Sequence, residues 1–331
     1  MSGTIGTSGE DGAGGGDGAG GPGGTGGTGG TSGAGLDALT TEALDGAGAD
    51  LDAMGTLDLV RLVNDADAQV AAAVRAQLPA IAAVVDAAAE RMARGGRLVH
   101  VGAGTSGRLG VLDAAEVPPT FGTDPGVVVG LIAGGPAALT SAVEAAEDDA
   151  GAGARDVEAL GAGPLDTVVG IAASGRTPYV LGAVRRAREL GCLTVGLSCN
   201  AGTPLSAACE LAVEVVVGPE VLRGSTRMRA GTATKMVLNT VSTLTMVRLG
   251  KTHGSLMVDV RATNAKLRRR AVRIVQAAAG VDGARAEEAL RAAGWHAKTA
   301  IAALALGVDA DAARRALEAA GGRLSRVPGV R

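Results

Sequence analysis

The fold is decided by one stretch, VHVGAGTSGRLGVLDAAEVPPTFG, which covers residues 99–122. Its apolar start predicts a strand from Leu98 to Val101, followed by a glycine-rich loop and a helix that is entered near Arg108. Pro118 and Pro119 predict the end of that helix, because proline lacks a backbone N–H and its ring disfavours a continuing helix. The stretch therefore predicts the first strand–loop–helix unit of an α/β fold.

The loop of this unit has the composition of an anion site. Gly104 and Gly107 allow positive φ and a close approach of backbone N–H groups to a ligand. Thr105 and Ser106 add hydroxyls where a helix begins, and free N–H groups and the helix dipole favour an anion there. Glu116 lies at the far end of the same helix and adds a fixed carboxylate. We predict a binding site at this loop.

The same glycines also fit a rival pattern. Gly102, Gly104 and Gly107 match G-x-G-x-x-G, the fingerprint of dinucleotide-binding proteins. That fingerprint requires an acidic residue about 20 residues further on, at the end of the second strand. Here the predicted second strand, residues 127–132, ends in Ala-Gly-Gly. The nucleotide interpretation is therefore disfavoured.

Short β-rich runs alternate with helical segments after this unit. The later predicted strands cover residues 127–132, 167–172, 193–198 and 212–217, and the intervening predicted helices cover 136–148 and 178–190. Helices of this length between strands predict a doubly wound parallel sheet, here with five strands. In such sheets, ligands bind beyond the carboxyl ends of the strands.

Two further hydroxyl-bearing loops join the first one as candidates for a phosphate and substrate site. One follows the strand at 167–172, and the other precedes a long helix that ends near Leu249. The predicted contacts are Gly104, Thr105, Ser106, Gly107, Ser174, Gly175, Arg176, Thr177, Ser225, Thr226 and Arg229. Two alternatives stay open, because ordinary helix capping uses the same hydroxyl residues and the arginines could pair with nearby acids instead.

Composition divides the chain of 331 residues into four predicted parts. They are a Gly-rich tail at 1–35, a helical segment at 36–87, the α/β domain at 88–251 and a helical region at 252–331. The tail cannot bury enough apolar surface to offset its chain entropy, so we predict that it is disordered. Three short predicted helices, at 283–293, 295–306 and 309–320, indicate a compact module at the C-terminal end.

Composition also excludes several classes of function. The formal net charge is −3 and aromatic residues make up 1% of the chain, which disfavours nucleic-acid and anionic-membrane partners. The three cysteines and three histidines lack ligand spacing, so we expect reduced thiols, no metal site and a cytoplasmic protein. A membrane span and a signal peptide are not expected either.

Several long motifs resemble those of the N-acetylmuramic acid 6-phosphate etherases, a family within the sugar isomerase (SIS) domain superfamily. They are residues 102–122, 172–178, 224–232 and 256–260, together with Ala262-Thr263-Asn264. The resemblance covers about Leu39 to Gly322. It implies a five-stranded SIS domain with flanking helices and a small ubiquitin-associated-like helical module at the C-terminus. This sequence departs from the family pattern at Ala115, Val117, Ala201 and Arg229 and at residues 44–46.

The resemblance also implies an activity. The family cleaves the lactyl ether of N-acetylmuramic acid 6-phosphate to N-acetylglucosamine 6-phosphate and D-lactate, in amino sugar catabolism and peptidoglycan recycling. It works as a cytoplasmic homodimer without a metal or other cofactor. By motif, Glu116 resembles the family's proton donor and Glu147 its other catalytic carboxylate.

Two carboxyl groups suit this chemistry, because one must act as a base and the other as an acid that is protonated near pH 7. We expect Val117, Pro118, Pro119 and Phe121 to form the apolar surroundings that would keep Glu116 protonated. Without the resemblance, either glutamate could be a solvated helix-end acid. Two alternative functions keep the fold, namely a non-catalytic phosphosugar-binding regulator and an aldose–ketose phosphate isomerase.

Overall fold

A computed structural model describes residues 39–43, 50–260, 262 and 264–330. The predicted disordered tail, residues 1–35, lies outside the described residues. The strands are β1 (Leu98–Gly102), β2 (Val128–Ile132), β3 (Thr167–Ile171), β4 (Leu193–Ser198) and β5 (Leu211–Glu214). All neighbouring pairs are parallel and the order is β2-β1-β3-β4-β5, which confirms the predicted five-stranded sheet.

Helices flank this sheet and continue beyond it. In chain order they are α1 (Thr56–Ala68), α2 (Val70–Arg75), α3 (Leu78–Ala93), α4 (Gly104–Phe121), α5 (Ala150–Ala159), α6 (Pro178–Glu189), α7 (Pro204–Ala208), α8 (Arg229–Arg248), α9 (Ala265–Ala279), α10 (Gly283–Ala292), α11 (Ala297–Leu306) and α12 (Ala310–Ala319). Short 3₁₀ turns lie at Thr40–Glu42, Leu51–Ala53, Gly135–Leu139, Glu144–Asp148 and Leu324–Arg326.

Each face of the sheet has its own core. Helices α3, α4 and α8 pack with Leu98, Val169 and Val195 on one face. Helices α5 and α6 pack on the other face with Val99 and Val168. The strands are buried on both faces, which explains why the sequence shows them as continuous apolar runs.

The strand order fixes where a ligand can bind. From β1 the chain moves outward to β2 and then returns to β3 on the other side of β1. This reversal opens a crevice beyond the carboxyl ends of β1 and β3, the usual ligand position in open α/β sheets. The loop after β1 leads into α4 and the loop after β3 leads into α6. Both hydroxyl-rich loops therefore meet at the crevice, as predicted.

A buried polar cluster fixes α4 against the sheet. Asp113 accepts hydrogen bonds from Asn239 Nδ2 at 2.6 Å and Ser242 Oγ at 2.9 Å, both on α8, and pairs with His100 Nε2 of β1 at 3.0 Å. Burial opposes the charge on Asp113, but these hydrogen bonds outweigh it and lower the pKa of the carboxyl group. The cluster holds the middle of α4 on both β1 and α8.

Two local predictions are wrong. Helix α4 starts at Gly104 and continues through Pro118 and Pro119 to Phe121, because the prolines occupy its last turn and Gly122 ends it at φ 64°. The predicted helix over 136–148 is replaced by two 3₁₀ turns, and α5 follows them. Arg108 accounts for the break, since its guanidinium donates to the carbonyl oxygens of Leu139 and Ser141.

The N-terminal helices form a bent pair. Helix α3 begins at Leu78 with Pro79 in its first turn, where a missing backbone N–H is tolerated. Among the described residues, no single helix is long and apolar enough to cross a membrane. Only the bent pair Thr56–Arg75 and Leu78–Ala93 meets that length and composition test together, with an angle of 59°.

The C-terminal helices enclose a separate core. Ile274, Leu290, Ile301 and Leu317 represent the buried residues that α9 to α12 contribute. Val258 and Val260 insert into the same core from the segment between α8 and α9. The three predicted short helices of this region are present as α10, α11 and α12. Their ubiquitin-associated-like character stays a prediction.

Candidate active site

A pocket of about 360 Å³ occupies the crevice at the carboxyl ends of β1 and β3. Its walls come from the loops after both strands, from the segment 138–147 and from residues 224 and 226. Of the predicted site residues, Gly104, Thr105, Ser106, Glu147, Ser174, Thr177 and Thr226 line it. The volume lies within the ~300–1,000 Å³ range of small-molecule pockets. We call this the edge pocket.

Two helices direct their N-termini at the edge pocket. Helix α4 begins at Gly104 after Ala103, and α6 begins at Pro178 after Thr177. Among the described residues, no side chain caps either helix. The first N–H groups of a helix have no partner inside it, and together with the dipole they attract an anion. The pocket is therefore suited to a phosphate group, with the hydroxyls of Ser106 and Ser174 on its wall.

Glu147 brings a carboxylate to the start of α4. Gly104 has φ 52°, and a Cβ atom at this residue would lie 3.0 Å from Glu147 Oε1. The carboxylate is thus in contact with the first residue of the helix, where positive charge from the dipole favours its ionised form. The absence of a side chain at Gly104 provides the room for it.

Glu116 does not line the edge pocket. It is exposed on α4, twelve residues after Gly104, so its Cα lies about 18 Å further along the helix axis. The prediction that apolar side chains surround Glu116 is also wrong, because Val117 and Phe121 point into the core and are only 3% and 5% exposed. Within one chain, Glu116 and Glu147 are not brought together.

Four other predicted contacts also lie outside the pocket walls. Gly107 N–H donates to Ala103 O inside α4, and a Cβ there would lie 2.6 Å from Ile132 Cγ1, so this glycine serves helix–sheet packing. Gly175, at φ 65°, shapes the loop against Thr203. Arg176 and Ser225 are not among the lining residues.

Arg229 faces away from the edge pocket. Its guanidinium donates to the carbonyl oxygen of Pro219 at 2.7 Å and to Gln69 Oε1 at 3.1 Å. Its backbone N–H donates to Glu220 Oε2, and the residue is buried at 7% exposure. The interpretation of Arg229 as a substrate contact is not supported, because its hydrogen bonds tie α8 to α1–α2 instead.

Sequence reasoning missed the anchor between the N-terminal segment and the site. Asn200, which follows β4, accepts hydrogen bonds from Thr40 N at 2.9 Å and Thr40 Oγ1 at 2.8 Å. Asn200 Nδ2 donates to the carbonyl oxygen of Ala173, a lining residue of the edge pocket. Residues 39–43 are therefore held at the pocket's edge. The available signal was an asparagine in the polar loop that follows β4.

No group of three or more His, Cys, Asp or Glu residues in the described part of the chain could hold a metal ion. The three cysteines form no disulfide, and burial raises the pKa of the Cys199 thiol to about 12. Neither finding adds a reactive group to the edge pocket.

Comparison with known proteins identifies the family. The family model of the glucokinase regulatory protein N-terminal SIS domain matches residues 80–188. An N-acetylmuramic acid 6-phosphate etherase from Streptomyces avermitilis is 59% identical over 268 residues, which cover 81% of this chain and 86% of that protein. A protein of the same name from Rubrobacter xylanophilus is 60% identical over 269 residues, covering 81% of this chain and 89% of that protein.

The similarity to solved structures is weaker than the similarity to these two relatives. A phosphoheptose isomerase from Francisella tularensis has a TM-score of 0.47 at 21% identity, covering 58% of this chain and 98% of that chain. The sequence relationship decides the family, because it extends over four fifths of the chain at more than half identity. The chain belongs to the N-acetylmuramic acid 6-phosphate etherase family.

Proposed function

We propose that the protein is a carbon–oxygen lyase that cleaves the D-lactyl ether of N-acetylmuramic acid 6-phosphate, giving N-acetylglucosamine 6-phosphate and D-lactate. The observation that carries the proposal is a carboxylate, Glu147, beside the N-terminus of α4 in the edge pocket, at which α6 also begins. Family membership favours this reaction over a regulator or an isomerase. We further propose that it acts in the cytoplasm, in amino sugar catabolism.

An ether at neutral pH is a poor substrate for direct displacement, because the leaving alkoxide is strongly basic. In the ring-opened sugar, C1 is an aldehyde that acidifies the proton on C2, and the lactyl oxygen on C3 becomes a leaving group. A base removes the C2 proton, an acid protonates the departing oxygen, and water then adds at C3. Each positioned carboxyl group can contribute about 10²–10⁴-fold.

In this scheme the edge pocket holds the phosphate and the base. The N-termini of α4 and α6, with the hydroxyls of Ser106, Ser174 and Thr177, bind the 6-phosphate. Glu147 is assigned the base, because the helix end beside it stabilises the ionised carboxylate. The second wall, from Thr226, bounds the sugar on the side of α8.

The acid must come from elsewhere, since Glu116 of the same chain lies outside the pocket. We propose that the protein is a homodimer in which Glu116 of a second copy reaches the edge pocket. A two-fold dimer would complete both pockets in the same way.

Exposed apolar side chains support an interface on this side of the molecule. Leu112, one turn before Glu116 on α4, is 50% exposed, and Leu244 on the adjoining α8 is 44% exposed. Helices α4 and α8 pack against each other, and a second copy that covered both leucines would remove this apolar surface from water. The face that carries Glu116 is therefore the surface proposed to meet the second copy.

The experiment that tests this function measures D-lactate released from N-acetylmuramic acid 6-phosphate. We expect turnover by the wild type and a loss of about 10²–10⁴-fold in Glu147→Gln with sugar-phosphate binding retained. Asp148→Asn is the matched control, because this acid is adjacent, exposed and outside the pocket. Wild-type protein without lactate release, or equal rates for both variants, would contradict the assignment.

A further inference from the structure

A second and larger cavity, of about 670 Å³, lies where the C-terminal end of α4 meets the C-terminal helices. Gly122, Lys251, Asp259, Trp295 and Lys298 are among its walls, and it shares no lining residue with the edge pocket. Asp259 belongs to the 256–260 motif, which the proposed reaction does not use. We call this the junction cavity.

The junction cavity is built around one buried carboxylate with an excess of cations. Lys298 Nζ lies 2.6 Å and Lys251 Nζ 3.3 Å from Asp259 Oδ2, while His296 Nε2 lies 3.1 Å from Oδ1. Burial opposes ionisation of Asp259, but the hydrogen bond from His296 and the lysine charges outweigh it and lower the pKa of the carboxyl group. Two ammonium groups thus share one negative charge.

The surplus positive charge faces the cavity. The Lys298 side chain is 6% exposed and is matched by Asp259, whereas the Lys251 side chain is 31% exposed and lines the opening. Arg314, a third cationic residue of the wall, is ion-paired with Asp311, so the cationic group that the cavity offers to a ligand is the Lys251 ammonium. A partly exposed ammonium group that shares its carboxylate with a second lysine is suited to an anion.

The aromatic wall is held in an unusual backbone conformation. Trp295 has φ 64°, and it is the only non-glycine residue with positive φ in the described part of the chain. This region costs an L-residue about 1–2 kcal/mol. Its N–H donates to Leu290 O at 2.7 Å, and Arg268 lies 5.1 Å from the ring centroid. Strain of this kind is typically retained where a side-chain position matters.

We propose that the junction cavity binds a small organic anion, a phosphate monoester or carboxylate on a sugar-sized body, with its charge beside Lys251 and its body against Trp295. The cavity's volume is in the range of small-molecule sites. An apolar ligand would remove water from the partly exposed Lys251 ammonium without replacing its hydrogen bonds, which disfavours such a ligand.

Trp295 is the only tryptophan in the chain, so its fluorescence reports directly on this cavity. We would titrate the full-length protein with glucose 6-phosphate, gluconate and inorganic phosphate at constant ionic strength, with uncharged glucose as the control ligand. Calorimetry on the wild type and on Lys251→Gln would detect binding at this cavity that leaves the emission unchanged, as the part of the heat that the variant loses. We expect saturable binding of glucose 6-phosphate or gluconate and none of glucose, and the two anions distinguish a phosphate from a carboxylate ligand.

Lys251→Gln should weaken this binding by about 10-fold or more, since a hydrogen bond to a charged group is removed. Lys266→Gln is the matched control, an exposed lysine outside the cavity. Ser174→Ala, in the edge pocket, should leave the Trp295 response unchanged. Three results would overturn the proposal: no binding signal by fluorescence or by calorimetry, equal affinities of the two lysine variants, or loss of the Trp295 fluorescence response in Ser174→Ala.

Discussion

A glycine of positive φ lies at each end of α4, Gly104 as its first residue and Gly122 directly after its last. The two glycines have different surroundings. At Gly104 the space that a side chain would fill holds the Glu147 carboxylate, 3.0 Å from the Cβ position. At Gly122 the same space is closed by backbone, with the carbonyl oxygen of Asp259 at 2.2 Å. The N-terminal end of α4 therefore leaves space for the Glu147 carboxylate, whereas the C-terminal end packs closely against the C-terminal region.

The difference teaches how one helix can serve two sites. Its N-terminal end presents to the edge pocket the N–H groups that have no partner within the helix, whereas its C-terminal end contributes Gly122 to the wall of the junction cavity. Asp113, in the middle, fixes the helix to β1 and α8. Substitutions at these three places should therefore separate stability from catalysis.

The largest effect on stability is expected at the middle of the helix. Asp113→Ala leaves the buried His100 and Ser242 without their carboxylate, so we expect the free energy of unfolding to fall by about 3–5 kcal/mol. Urea denaturation at fixed protein concentration measures the change. Asp113→Asn, which retains one acceptor oxygen, should lose less. A loss below about 1 kcal/mol in Asp113→Ala would show that the cluster does not hold α4.

The C-terminal end should be the next most sensitive. Gly122→Ala must adopt φ 64° and also displace the Asp259 carbonyl, so we expect a loss of about 2–4 kcal/mol in unfolding free energy. Gly126→Ala is the control, because its φ is 96° but no atom lies within 4 Å of the Cβ position. Equal losses in the two variants would mean that the contact with Asp259 contributes nothing.

At the N-terminal end, catalysis should change more than stability. In Gly104→Ala the new methyl group meets only the flexible end of Glu147, which can move aside. We expect kcat for lactate release to fall by about 10–100-fold, because a misplacement near 1 Å has that effect. The loss of stability should not exceed that of Gly126→Ala. Full activity would argue against Glu147 acting from its observed position.

The smallest effect on stability is expected when the pH is lowered. The pKa of Asp259 is lowered in the folded protein, so its contribution to stability is present above the unfolded value near 3.9 and is lost as pH falls through the folded value. We expect the thermal midpoint to drop on acidification below about pH 4, and Asp259→Asn to show a shallower drop. Parallel pH profiles of the two proteins would contradict this expectation.

Much of the fold could be predicted from the sequence, because local patterns determine it. Five apolar runs bounded by glycines gave the strands, with β4 at the predicted bounds of residues 193–198. Helix ends depended on tertiary contacts and could not be predicted. Arg108, for example, binds the carbonyl oxygens of Leu139 and Ser141 that a helix over 136–148 would have used.

The candidate site, too, was predictable in part. The hydroxyl loops were predictable, because the carboxyl ends of parallel strands share one edge and Ser106 and Ser174 each follow a strand. Side-chain direction was not predictable. Arg229 could not be placed on Pro219 and Gln69 from its spacing, and nothing local indicates that Glu116 faces away from the pocket of its own chain.

The central claim is that one pocket receives Glu147 from its own chain and Glu116 from a second copy. It is tested most directly by measuring lactate release after Glu116→Gln and Glu147→Gln proteins are mixed and their subunits exchanged. Each variant alone should be inactive. In mixed dimers, one of the two pockets combines an intact Glu147 with an intact Glu116, so about a quarter of wild-type activity should return. A mixture no more active than the separate variants would contradict the shared site.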